Sequence, residues 1–256
     1  MSEQPAADNT VDDAEKPLVT HLVELRDRLL RSVACILLVF LALFYFSNDI
    51  YTFVSEPLQA LLPENTTMIA TEVASPFFAP FKLTMVVAIL LAMPFLLYQV
   101  WGFIAPGLYK KERLLVVPIF LSSVVLFYAG MAFAYYVVFP LVFGFFTSVG
   151  PEGVAMMTDI NSYLDFVLKL FFAFGLAFEI PIATLVLILT GITTPQKLAE
   201  KRPYVILGCF VIGMLMTPPD VISQAMLAIP MWILFEAGVL LGKLLKRSSR
   251  SESPTD

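Results

Sequence analysis

Charge is what this sequence has least of. Asp, Glu, Lys and Arg make up 14% of its 256 residues and hydrophobic residues 59%, against roughly 25% and 45–50% in an ordinary soluble domain. Mean hydropathy is +0.83, so water is not the solvent for most of the chain and a globular enzyme is a poor reading. Histidine is nearly absent: His21 is the one copy, it lies outside the apolar runs, and no Ser or Cys has a base at a recognisable nucleophile spacing. Two intramembrane aspartates at one depth are also lacking. Gly238 and Gly242 before Lys243 fall one residue short of a phosphate-binding loop, with no Ser or Thr after the lysine. Hydrolase and nucleotide chemistry are thereby disfavoured. Cys35 and Cys209 both sit inside apolar runs, which fits buried bystanders and no disulfide framework or metal spacing. The start shows no basic stretch, short apolar run and small-residue cleavage site in sequence, so the first span is expected to direct insertion itself.

What the chain does have is long apolar runs, with 23 Phe and 11 Met to pack against acyl chains and neighbouring helices. Residues 1–16 are polar and acidic and read as a disordered tail. A first span runs from near Thr20 to Ser47. Residues 48–81 hold Pro57, Pro63, Pro76 and Pro80, yet Ile50, Phe53, Val54, Leu58 and Leu61 recur at helical steps, predicting an amphipathic helix at the interface. Further spans are predicted at about 83–104, 114–140 and 163–190. Span five, Tyr204 to Thr217, and span six, Val221 to Phe235 before the charge of Glu236, each fall short of the roughly 20 residues a bilayer needs, and two short neighbours invite local thinning of the lipid. The fold class is an all-α membrane protein: six transmembrane helices, two of them short, with a Pro-rich outer cap. Its domains are the tail 1–16, a membrane domain 17–242 and a second tail 243–256.

Cations orient it. Lys16, Arg26, Arg28 and Arg31 precede span one, Lys110, Lys111 and Arg113 follow span two, Lys197, Lys201 and Arg202 precede span five, and Lys243, Lys246, Arg247 and Arg250 follow span six. Only Lys82 and Lys169 lie near the other face. By the positive-inside rule both termini are cytoplasmic.

Two charged segments stand at that cytoplasmic edge. In the first, HLVELRDRLLR from His21, the pairs Glu24 with Arg28 and Asp27 with Arg31 have i,i+4 spacing, which on its own suggests charges that neutralise one another on an amphipathic lead-in. In the second, Tyr98 to Arg113, Glu112 sits among three cations. Together with them, a set of ordered motifs resembles the TatC family, the receptor subunit of the twin-arginine protein translocase: HLxELRxRL from His21, YQVWxFIAPxLYxxE from Tyr98, FEIP at Phe178, KRPY at Lys201 and MLMTPPD at Met214. The likeness covers about residues 17–242.

The resemblance implies a receptor in the bacterial cytoplasmic (inner) membrane that binds signal peptides bearing two adjacent arginines. It would assemble with the single-span subunits TatA and TatB and with further copies of itself, and export folded proteins on the proton-motive force. Within it, Glu24, Arg26, Phe103 and Glu112 would bind the signal peptide, Pro57 would be structural, and Met214, Thr217 and Gln224 would touch a partner's transmembrane helix. Membrane lipid is the surroundings. Nucleic acid, metal and prosthetic group are not indicated, and no covalent step is implied. The physics fits, since two consecutive guanidinia call for carboxylates held close together. Glu179, inside span four and two residues before Pro181, is too costly to leave charged against lipid and is expected to face protein or water. A proton-coupled secondary transporter is the alternative, with Glu179, Asp165, Lys169 and Glu236 as a titratable path, but no inverted repeat is visible.

Overall fold

A computed structural model describes residues 12–61, 69–104, 116–149, 159–216 and 221–251. Among these the chain is helical apart from an isolated bridge between Ile69 and Asp159. Helix α1 (Asp12–Phe44) begins before Thr20 and carries no glycine; after a two-residue turn, α2 (Ser47–Leu61) leaves at 87° to it. The spacing of Ile50, Phe53 and Val54 predicts a helix here, and one is found, bent sharply away from α1.

Helix α3 (Ser75–Ile104) starts earlier than the predicted 83: Pro76 falls in its first turn, where a missing N–H costs little, and Pro80 and Pro94 are tolerated inside it. The third span is α4 (Val116–Phe133), one π turn at Ala134–Val138, and α5 (Phe139–Val149). Pro140, just beyond that turn, donates no N–H, and a π turn absorbs such a gap without ending the helix.

The fourth span is two helices rather than one. α6 (Ile160–Ala177) and α7 (Ile180–Leu189) are separated by Phe178 and Glu179. Pro181 accounts for the break: its ring cannot donate to the carbonyl of Ala177, so α6 stops at that residue and α7 restarts with Pro181 in its first turn. A short α8 (Pro195–Glu200), capped by the Thr194 hydroxyl accepting from the Lys197 N–H at 3.3 Å, leads into α9 (Arg202–Met216).

α9, with 15 residues, is short, as the sequence predicts. α10 (Val221–Ser251) departs from expectation. It runs on through Glu236 for 31 residues, of which Val221–Leu244 are long and apolar enough to cross a membrane. The charge does not end the helix because Arg202 of α9 pairs with it. Any mismatch with the bilayer therefore rests on α9. Four helical runs reach crossing length, 75–104, 116–145, 160–189 and 221–244, and the bent pair α1–α2 makes a fifth. With α9 added, six spans are consistent with the helices found.

Packing divides into two bodies that share α6. α1 lies along α3 with Phe40 and Phe44 edge-on to Phe81, and α4 and α3 meet α6 around Phe127, Leu164 and Phe174, all fully buried. On the other side α10 packs against α7 and α9. Gly238 and Gly242, a weak packing signal in the sequence, are where α10 touches α7: a Cβ on Gly238 would fall 2.8 Å from the Cα of Pro181, and one on Gly242 would meet Ile188.

Candidate functional site: the junction of α1 and α3

The end of the bundle that the cations assign to the cytoplasm holds Glu24, half-buried on α1. One turn on, Arg28 donates from Nε (2.9 Å) and Nη2 (2.7 Å), both to Oε1 of Glu24. The same guanidinium reaches across to α3. Its Nη1 donates to the Gln99 carbonyl at 3.4 Å and to Gln99 Oε1 at 3.3 Å, and Nη2 donates to the Gly102 carbonyl at 3.0 Å. Charges that neutralise one another on a single helix would not do this; the pair is the joint between two helices. Oε2 of Glu24 takes no partner among the described residues.

Asp27 pairs with Arg26, through Nε at 3.0 Å and Nη2 at 2.8 Å, and not with Arg31 as the spacing suggests. Both side chains of this neighbour pair are well exposed, so the contact is worth little and Arg26 remains accessible to a ligand. Phe103 is half-buried in the last turn of α3, close to the Arg28 contacts. Glu112 lies outside the described residues, as does Thr217. Pro57 lies within α2, its side chain outside the described residues. Sequence reasoning missed Gln99, which is buried. The available signal was an amide at the same depth as three charges of α1.

Further in, Glu179 stands at the α6–α7 break, half-buried, with Oε1 buried and without a hydrogen-bond partner. Trp101 Nε1 donates to the Ser123 hydroxyl at 3.2 Å, and that hydroxyl is the polar group facing Glu179. Glu179 thus faces protein, as its cost in lipid requires. Across the molecule Met214 is exposed on α9, while Gln224 donates from Nε2 to the Phe210 carbonyl at 2.8 Å and so links α10 to α9.

A family model described as "Sec-independent protein translocase protein (TatC)" matches residues 20–230. The chain belongs to the TatC family. It is similar to the proteins named Sec-independent protein translocase protein TatC of Azotobacter chroococcum (66% identical, covering 91% of this chain and 92% of that one), Haemophilus influenzae (61%; 90% and 90%) and Escherichia coli K12 (57%; 94% and 93%). A crystal structure described as the twin arginine translocase receptor TatC superposes with a TM-score of 0.79 at 38% identity, over 88% of this chain and 98% of that one. The fold found here is therefore that of the receptor in the crystal structure.

Proposed function

We propose that this chain is the receptor and core subunit of a twin-arginine translocase, binding signal peptides with paired arginines and gathering single-span partners so that folded proteins cross the inner membrane. Membership of the TatC family supports that reading, and its relatives are named as components of a translocase that is independent of Sec. The observation that carries the binding step is Glu24, a carboxylate held at the α1–α3 joint with one oxygen unpaired among the described residues. Such an oxygen is an acceptor for an incoming guanidinium, and charge-assisted bonds of this kind are about twice as strong as neutral ones.

Glu112 is the second acceptor in this reading, Arg26 and Phe103 flank the peptide, and Glu179 gives polarity to the face that receives the peptide's apolar segment. Met214, Thr217 and Gln224 form the contact for a partner helix of the TatA or TatB kind, Pro57 shapes the outer cap, and both termini are cytoplasmic. The proton-coupled transporter loses support, because two members of its path are engaged elsewhere. Asp165 pairs with Lys82, and Glu236 binds Arg202 through two bonds of 2.6 and 2.7 Å at the other end of the bundle.

The test is crosslinking from positions 24 and 112 to a signal peptide carrying Arg-Arg or Lys-Lys. Crosslinks that need the arginines support the receptor; Glu24→Gln and Glu112→Gln variants that bind as before, at normal levels in the membrane, remove it.

A further inference from the structure

Helix α3 is described as far as Ile104, and Pro106, four residues beyond Gly102, has no N–H to donate to the Gly102 carbonyl, which therefore needs a donor from elsewhere. Arg28 supplies that donor from a neighbouring helix, Nη2 reaching the Gly102 carbonyl, while Nη1 adds contacts to the Gln99 carbonyl and side chain. Its two contacts with Glu24 fall on the same oxygen, Oε1. Five N–H groups in a rigid plane allow this division of labour, which a lysine ammonium cannot reproduce. The Arg28 side chain is 22% exposed and that of Glu24 40%, so the arginine is the more shielded partner and the carboxylate stays partly open to water.

We infer that Arg28 is a positioning residue for arginine recognition: by clamping Glu24 Oε1 to the end of α3, it fixes the direction in which Oε2 faces an incoming side chain. The inference rests on the receptor reading above and says how that site tells arginine from lysine. A carboxylate free to swing follows an ammonium as readily as a guanidinium. One held in a fixed orientation rewards a planar fork that arrives along one direction. Arg28 also neutralises most of the pull of Glu24 on stray cations, leaving recognition to geometry.

Gly102 supplies an independent handle. A Cβ there would press into the guanidinium, meeting Nη1 first, with Cζ at 3.1 Å and Nη2 at 3.2 Å. The obstructing atoms are the far end of a flexible side chain, so Gly102→Ala displaces the guanidinium while keeping Arg28 itself and the helix.

The experiment uses the full chain in membrane vesicles with its partner subunits. Photo-crosslinking yields are titrated with two signal peptides that differ only in Arg-Arg against Lys-Lys, for the parent, Arg28→Lys, Gly102→Ala and Glu24→Gln. The expected result is a fall of about tenfold in the Arg-Arg to Lys-Lys affinity ratio in both Arg28→Lys and Gly102→Ala, corresponding to the loss of about one oriented charged hydrogen bond, with Lys-Lys yields unchanged. A parental ratio in Gly102→Ala, or a parallel loss of both peptides, overturns the inference, and should Arg28→Lys fail to accumulate, Gly102→Ala decides. Glu24→Gln separates the two levels of the argument. If it binds Arg-Arg peptide like the parent, Glu24 is not the acceptor and the inference falls with it; if it loses binding while the ratio holds in the other two, only the role of Arg28 is wrong.

Discussion

The acids at the two ends of this bundle are treated differently. At the outer end Asp159 has both oxygens engaged: Oδ1 accepts from the Thr71 N–H at 3.1 Å and hydroxyl at 2.9 Å, Oδ2 from the Ser162 N–H at 3.1 Å and hydroxyl at 3.2 Å. Asp165 nearby is paired with Lys82. At the end that the cations assign to the cytoplasm, Glu236 gives one oxygen to each of two Arg202 nitrogens, whereas Glu24 gives only Oε1 and its Oε2 has no partner among the described residues. Side chains with full acceptor shells act as braces between elements. Glu24 bonds through one oxygen, as Asp27 and Asp165 also do, but the arginine that holds it is itself fixed to a second helix, so its other oxygen is placed to receive something.

The sharpest way to break that contrast is to change the two cytoplasmic glutamates in parallel. Glu24→Gln removes a charge at an open acceptor, so binding of an Arg-Arg peptide is expected to fall tenfold or more, about 1.4 kcal/mol or above, with little change in thermal stability. Glu236→Gln should do the reverse. It removes the carboxylate from a bidentate pair that joins α9 to α10, costing about 1–2 kcal/mol of stability because the Glu236 side chain is only 21% exposed. Peptide affinity is expected to stay within about twofold of the parent. Thermal melting and peptide titration on the same preparations check both; equal effects of the two variants on binding would erase the distinction between brace and receptor.

How much of this could be read from the sequence depends on whether the cause is local. The fourth span reads as one continuous run in the sequence; the cause of its break, a proline acting on the carbonyl four residues back, is local and visible there, and in the structure α6 ends at Ala177. The helix α2 was legible from apolar spacing, and the short α9 from the length of the apolar run Tyr204 to Thr217. Pairings across space were not. Glu236 was taken as the end of an apolar segment, since nothing near it in sequence discloses Arg202, 34 positions away. Arg28 showed its partner at i−4 but not Gln99 or Gly102 on α3, and Lys82 and Lys169 stood as exceptions to the cation pattern although Lys82 has Asp165 at its own depth. Helical periodicity exposes faces; which charged faces meet depends on the packing of whole helices.

The outer ion pair offers a smaller test of the same contrast. Lys82 and Asp165 are each about half exposed, so a single Asp165→Asn change is expected to cost only about 0.2–1 kcal/mol, with signal-peptide binding untouched. Exchanging the pair, Lys82→Asp with Asp165→Lys, should recover much of the loss, because a brace needs opposite charges and is indifferent to which helix carries which. A double variant less stable than either single change would show that these side chains do more than hold α3 to α6.

Asp159 gives the smallest effect near neutrality and the clearest dependence on pH. The Ser162 N–H, then the Thr71 N–H and hydroxyl, hold its carboxyl down at about 2 from an ordinary 3.8, since each of these donors favours the charged form. The folded state therefore binds this proton more weakly than the unfolded chain does. Its contribution to stability is fully present above about pH 4, declines as pH falls through the window between the two values, and is gone below about pH 2. Asp159 caps α6 while holding the strand-like segment at Ile69–Thr71 against it, so what weakens is the latch between the outer cap and the fourth span. Asp159→Asn can still cap the helix through one oxygen but cannot satisfy four donors. Melting temperatures of parent and variant, taken from about pH 6 downward, are expected to differ by a constant amount until about pH 4 and then to converge. A gap that persists to the lowest pH would mean that the carboxylate charge is not what holds the latch.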